Sequence, residues 1–222
     1  MKIVIAGGHG QVAQRLARLL AARGDEVVAL VRNPSHMADV SAAGVHATLA
    51  DLELDSIEAM AGHLAGADAV VFAAGAGPGS SARRKDTVDR AGAALLADAA
   101  DRIGIRRYVL VSSMGAGTPP PAGTDEVFAA YLRAKTSAEE DLRRRDLEWT
   151  ILRPGALIND PGTGQVRLET QVASGRVPRD DVATVLAALL AEPRTAGLTL
   201  ELIAGEVPVD AAVEDSLAHT PN

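Results

Sequence analysis

The feature that most narrows the possible folds is a junction near the start of the chain. An apolar run from Lys2 to Ala6 passes without a linker into Gly7-Gly8-His9-Gly10-Gln11-Val12-Ala13 and then into a helical pattern. Val12, Leu16, Leu19 and Leu20 fall on one side of that helix, as a 3.6-residue period requires. Strand, glycine turn and helix in this order make the first half of a βα unit. Gly7 permits a tight turn, Gly10 lets a ligand approach the backbone, and Ala13 is small enough for close helix–strand packing. The unpaired N–H groups and the dipole at such a helix start favour a phosphate or pyrophosphate. The loop Gly7, His9, Gly10, Gln11 and Val12 is therefore the first candidate ligand contact. Its spacing is Gly-x-x-Gly-x-x-Ala, and no Gly-Lys-Ser/Thr follows, which argues against hydrolysis of a nucleoside triphosphate.

The same alternation continues. Apolar runs at Val27 to Val31, Val45 to Leu49, Ala69 to Ala73, Tyr108 to Ser112, Thr150 to Leu152 and Thr199 to Ile203 read as strands. Helical patterns cover about 55–64, 86–103, 126–145 and 180–191. Repeated strand–helix–strand units give a parallel sheet with right-handed crossovers. The expectation is an α/β, Rossmann-type, doubly wound parallel sheet in a single domain, with residues from about 153 to 218 completing a small substrate side. Aromatic residues are only 2% of the 222 residues against 47% hydrophobic, so Ala, Val, Leu and Ile must build the core, as suits a sheet covered on both faces. Gly75 to Ser81 and Gly115 to Thr124, rich in Gly, Pro and Ser, follow strand ends and read as binding loops. The polar end His219 to Asn222 is expected to fray.

Charge and composition exclude several functions. A net charge of -7 argues against nucleic acid, and the runs Arg83-Arg84-Lys85 and Arg143-Arg144-Arg145 are too short to reverse that. There is no cysteine, hence no disulfide, thiolate metal site or Cys nucleophile. His9, His36, His46, His63 and His219 show no paired ligand spacing, so no metal is expected. The apolar run Val182 to Ala191 falls far short of a membrane span, and a chain opening directly into a strand leaves no room for a signal peptide. These readings predict a soluble, cytoplasmic protein with a small-molecule substrate, and leave its oligomeric state open.

The second strand ends in Val31-Arg32-Asn33-Pro34. NAD sites usually place an acidic residue there for the ribose hydroxyls, whereas an arginine can hold the 2′-phosphate of NADP. Arg32 therefore predicts NADP(H) in preference to NAD(H). Asp51-Leu52, after the third strand, is placed to meet the adenine or to cap the next helix.

The ordered set Gly7-x-x-Gly10-x-x-Ala13, Phe72-Ala73-Ala74-Gly75, Val111-Ser112-Ser113, Tyr131-Leu132-Arg133-Ala134-Lys135 and Leu152-Arg153-Pro154-Gly155 resembles the atypical short-chain dehydrogenase/reductases. It is most similar to their small subgroup of biliverdin reductase B-like, NmrA-like and epimerase-like proteins. Arg179-Asp180-Asp181-Val182-Ala183 extends the resemblance over nearly the whole chain. The resemblance implies that Ala74 and Gly75, next to Ala73, lie beside the cofactor ribose, and that Pro154 and Gly155 lie beside the nicotinamide. Lys85 and Asp89 match positions of the helix after the Gly75 loop, with no role carried over.

Tyr131 and Lys135 stand four apart, on one face of a helix, so the ammonium can lie near both the phenol and the ribose. A cation beside a phenol favours its ionised form and suits it to general acid–base work. Ser112 or Ser113 can donate to a carbonyl oxygen that becomes an alkoxide. Strand alternation turns only one of the pair inward. The family pattern favours Ser113 for catalysis, beside Tyr131 and Lys135, with Ser112 counted among the cofactor contacts. The interval from Ser113 to Tyr131 is longer than in typical short-chain dehydrogenases and carries Pro119-Pro120-Pro121. Two functions follow: an NADPH-dependent reductase of a small carbonyl, quinone or flavin-like acceptor, or a non-catalytic NADP(H) sensor resembling the NmrA-like regulators.

Overall fold

A computed structural model describes residues 1–42, 44–77 and 79–218. The end expected to fray, His219 to Asn222, and Pro78 within the Gly75 to Ser81 loop lie outside the described residues.

The first half runs β1 (Lys2–Ala6), α1 (Gln11–Ala22), β2 (Glu26–Val31), α2 (Met37–Ser41), β3 (His46–Leu49), α3 (Ile57–His63) and β4 (Ala69–Phe72). A composite helix follows: α4 (Ala82–Arg84), a π-helical segment (Lys85–Ala91) and α5 (Gly92–Arg102). Next come β5 (Arg107–Val111), α6 (Glu126–Arg143), β6 (Glu148–Pro154), β7 (Ala156–Ile158), β8 (Gln165–Glu169) and β9 (Arg176–Pro178). The chain closes with α7 (Arg179–Ala191), β10 (Thr199–Ala204), β11 (Val207–Pro208) and α8 (Val209–Ala218).

Among the described residues the main sheet has nine strands in the order β11-β8-β10-β6-β5-β4-β1-β2-β3. Every pairing from β3 across to β10 is parallel. At the other edge β8 pairs antiparallel with β10 and β11 antiparallel with β8. β7 and β9 form a small separate parallel pair. This is the doubly wound, Rossmann-type α/β sheet that the strand–helix rhythm predicts.

Strand alternation explains the two layers. Ile3 and Ile5 of β1 join Val27, Ala29 and Val31 of β2 in one buried cluster with α1, α7 and α8. Val4, Ala6, Val28 and Leu30 point the other way, into a cluster with α3, α5 and α6. Both faces of each central strand are therefore buried, which is why these strands read as continuous apolar runs. Trp149 packs at the edge of the second cluster.

Four C-terminal strands and α8 were not legible. β8, Gln-Val-Arg-Leu-Glu, alternates buried and exposed residues, as an edge strand should. Its polar composition and the turn Thr163-Gly164-Gln165 before it make it read as loop. That turn is tied to Asp181 of α7: Thr163 N and Gly164 N donate to its carboxylate at 3.1 and 2.8 Å.

Candidate functional site

The strand order reverses between β1 and β4, and ligands of open α/β sheets bind outside the strand C-termini at such a point. The loops after β1 and β4 meet there. Gly7 has φ +80°, and a Cβ on it would lie 2.5 Å from Ala74 Cα, so only glycine fits this contact. The turn closes with Gly10 N donating to Gly7 O at 2.8 Å. Gly10 then starts α1 with no side-chain cap, and no acidic residue follows in the first turn. The N–H groups of this helix start remain available to an external anion.

An open cleft of about 460 Å³ spreads from this turn across the ends of β2 and β3. Gly7, His9, Gly10, Arg32, Asp51, Leu52, Ala73, Ala74 and Gly75 all border it. Gln11 and Val12 lie behind it as the first residues of α1. Among the described residues, all those bordering it fall between Gly7 and Val88. Asp51 does not cap α3, because Ser56 does, accepting from Ala59 N at 3.2 Å. Asp51 Oδ1 accepts from Glu53 N at 2.8 Å and shapes the turn that delivers Glu53 to the cleft.

The rim near β2 carries a charge cluster that the sequence did not disclose. Arg32 Nη1 donates to Glu53 Oε2 at 2.9 Å, and Arg84 Nη2 donates to the same oxygen at 2.9 Å. Thr87 Oγ1 donates to Glu53 Oε1 at 2.6 Å. The Thr87 hydroxyl bond outweighs a burial penalty and, with the two guanidiniums, holds the Glu53 carboxyl below its ordinary range. The carboxylate missing from the end of β2 is thus supplied from the loop after β3. Two cations share it, so the cluster keeps a net positive charge. Beside it the His9 and His36 rings stack at 3.6 Å, with His9 Nε2 3.4 Å from Asp39 Oδ2.

A second group of side chains gathers where β4, β5, the π-helical segment and α6 meet. Lys135 Nζ donates to Val111 O at 3.0 Å and lies 3.4 Å from Asp89 Oδ1, both side chains being almost fully buried. Asp89 Oδ2 accepts from Ala76 N at 3.0 Å, which ties the Gly75 loop to this pair. Lys85 Nζ donates to Gly77 O at 2.8 Å. Both ammoniums approach the Tyr131 ring, Lys85 Nζ at 5.4 Å and Lys135 Nζ at 5.8 Å from its centroid. Phe128, one helical turn earlier, stacks on Tyr131 with centroids 5.9 Å apart.

The two serines part company. Ser112 is buried and its Oγ donates to Glu139 Oε1 at 2.5 Å, away from the cleft and into an ion network. Arg153 Nη2 donates to Glu139 Oε2 at 2.6 Å and Arg143 Nη2 to the same oxygen at 2.9 Å. Burial alone would raise the Glu139 carboxyl; hydrogen bonds from Arg153 and Ser112 and the charges of Arg153 and Arg143 overcome that and lower it. Ser113 is half-buried and donates to Met114 O at 3.2 Å. Pro154 ends β6 and accepts from Met114 N at 2.9 Å. At Gly155 a Cβ would meet Gly175 O at 2.4 Å, so the backbone there packs against the approach to β9.

Sequence reasoning missed Glu53, Arg84, Thr87, His36 and Asp89 as members of these clusters. Each reaches its partners across strands or from the composite helix, and spacing along the chain carries no signal of that. Among the described residues no group of three or more His, Asp or Glu is placed to hold a metal ion, and no helix is long and apolar enough to cross a membrane.

A doubly wound sheet, a glycine turn at its switch point and a cleft with a cationic rim define a dinucleotide-binding protein. The chain belongs to the NAD(P)H-binding family whose pattern matches residues 7–193, and within it to the atypical short-chain dehydrogenase/reductases. It is 36% identical over 215 residues to the uncharacterized sugar epimerase YhfK of Bacillus subtilis, covering 96% of this chain and 99% of that one. A Bacillus halodurans structure described as a candidate NAD-dependent epimerase/dehydratase superimposes with a TM-score of 0.90 at 35% identity, over 97% of this chain and 99% of that one. The anaerobillin reductase ChuY of Escherichia coli O157:H7 gives a TM-score of 0.80 at 25% identity, over 92% and 97% of the two chains.

Proposed function

We propose that this protein is an NADP(H)-dependent reductase that delivers hydride to a small carbonyl, quinone or flavin-like acceptor. The observation that carries the reading is the Tyr131 hydroxyl: it has no hydrogen-bond partner among the described residues, while two ammoniums lie 5.4 and 5.8 Å from its ring centroid. The residues present fit the dinucleotide. Gly7, Gly10 and the uncapped start of α1 suit the pyrophosphate; Ala73, Ala74 and Gly75 suit the ribose; Asp51 and Leu52 suit the adenine. Arg32 and Arg84, holding one carboxylate between them, leave positive charge for a 2′-phosphate, which supports NADP over NAD.

When bound, the reduced nicotinamide supplies the hydride. For a carbonyl acceptor the carbon gains that hydride and the oxygen gains a proton, so NADPH, a proton and the carbonyl become NADP+ and the alcohol. Tyr131 donates the proton and solvent restores it. Ser113 steadies the developing oxyanion. Lys135, fixed by Asp89 and Val111 O, holds a positive charge near the phenol, and Pro154 and Gly155 would border the nicotinamide, with residues 153–218 closing the substrate side. Ser112 serves through Glu139, by fixing the end of β5. The reductase named in ChuY supports this type of reaction, and YhfK supports the alternative of an epimerase.

The test is NADPH and NADH affinity by calorimetry, then NADPH consumption against quinones, flavins and small carbonyls. Tyr131→Phe is expected to lower turnover by about a hundred- to ten-thousandfold while leaving NADPH affinity nearly intact; equal activity in the variant removes Tyr131 from the mechanism. Tight binding without turnover of any acceptor would favour the cofactor sensor. Interconversion of sugar epimers without net NADPH consumption would favour the epimerase.

A further inference from the structure

Lys85 and Lys135 approach the same Tyr131 ring, but their charges are balanced differently. Lys135 is 3% exposed and has Asp89 at 3.4 Å. Lys85 is 8% exposed, and its hydrogen-bond partner is a neutral carbonyl, Gly77 O. Among the described residues no carboxylate lies within ion-pair distance of it. The neighbouring carboxylates are committed elsewhere: Glu53 to Arg32, Arg84 and Thr87, Asp86 to Arg90, and Asp89 to Lys135 and Ala76 N. A nearly buried ammonium without a counter-charge is costly unless an anion arrives from outside.

That anion is not a cofactor phosphate in the reading given above, because the pyrophosphate goes to the start of α1 and a 2′-phosphate to Arg32. Lys85 sits instead at the Tyr131 end. There Phe128 is 50% exposed and stacked on Tyr131, so an exposed apolar ring stands on the same tyrosine that the Lys85 ammonium approaches. An amphipathic ligand matches both features.

We infer that Lys85 selects the acceptor by charge: the acceptor carries a carboxylate on an apolar or aromatic body, the carboxylate against Lys85 and the body against Phe128. The inference rests on the reductase reading for its chemistry, and its test separates the two. The rates of NADPH-dependent reduction of para-carboxybenzaldehyde and of benzaldehyde are compared in the same preparation, so their ratio does not depend on how much protein is folded. Wild type is expected to prefer the carboxylated aldehyde. Lys85→Met should cut the ratio of kcat/KM values by about tenfold or more, the scale of one charge-assisted hydrogen bond, and Lys85→Arg should retain most of it. A ratio unchanged in Lys85→Met overturns the inference and leaves Lys85 as a strut for the Gly77 loop. Should neither aldehyde be reduced, the reductase reading loses support, and calorimetry with terephthalate on the NADP+ complex decides the inference alone. Terephthalate binding that weakens about tenfold in Lys85→Met upholds it; no binding, or equal binding by both proteins, overturns it. If Lys85→Met does not melt cooperatively, Lys85→Gln takes its place in both arms.

Discussion

Arg32 shows how a residue can be legible while its circumstances are not. Its place at the end of β2 announces a phosphate ligand, and its side chain does border the cleft. Its partner Glu53 comes from the loop after the neighbouring strand, and strand adjacency is not written in local spacing. Replacing Arg32 by Ala should weaken NADPH by about tenfold or more while NADH changes little, because one charge-assisted contact is lost only to the phosphorylated ribose; calorimetry with both cofactors reads this, and a uniform loss would sink the 2′-phosphate assignment. Gly7 and Gly8 were legible as a turn, but the contacts that demand them were not. A Cβ on Gly8 would lie 2.5 Å from Ala29 Cβ in β2, so Gly8→Ala overpacks the β1–β2 junction. The expected cost is about 1–3 kcal/mol of stability, seen as an earlier urea midpoint even without cofactor.

A buried carboxylate helps hold α6 to the sheet. Glu139 gathers Arg153 from β6, Arg143 from its own helix and Ser112 from the end of β5. The motif Leu152-Arg153-Pro154-Gly155 was recognisable by resemblance, yet the reason for its arginine appears only when β6 and α6 are side by side. Removing one partner of such a network leaves charge uncompensated, so Glu139→Gln should cost about 3 kcal/mol at neutral pH. The carboxyl is lowered in the fold. Its stabilisation is therefore full above the ordinary carboxylate range and is lost as pH falls through the depressed value. The stability gap between wild type and Glu139→Gln, measured by denaturant titration, should close as the solution is acidified below about pH 4; a gap that widens there would contradict the assignment. The small strands beyond β6 escaped sequence reading for a different reason. β7, β9 and β11 are only two or three residues long, too short for any periodicity to register.

Across the whole molecule the doubly wound sheet was the most legible part, because burial on both faces leaves continuous apolar runs such as Ala69–Phe72. The arrangement also makes cofactor binding a property of the entire fold: the cleft draws on the ends of β1 to β4, which disperse on unfolding. NADPH at about a hundredfold above its Kd should add about 2.7 kcal/mol to global stability, visible as a higher Tm, with NADH adding less at equal concentration. The cleft residues end at Val88 and the Tyr131 cluster draws on residues from Phe72 onward, so the two overlap along the composite helix. Its π-helical segment fits one more residue into each turn than the α-helical pieces on either side. Like a gear with an extra tooth, it fixes the phase between them. Deleting one residue from Lys85–Ala91 would let the helix run as plain α with Arg84 and α5 close to their present phase, because the π segment takes up a single extra residue; the residues inside it, Asp89 among them, would be re-aimed while every strand stayed in place.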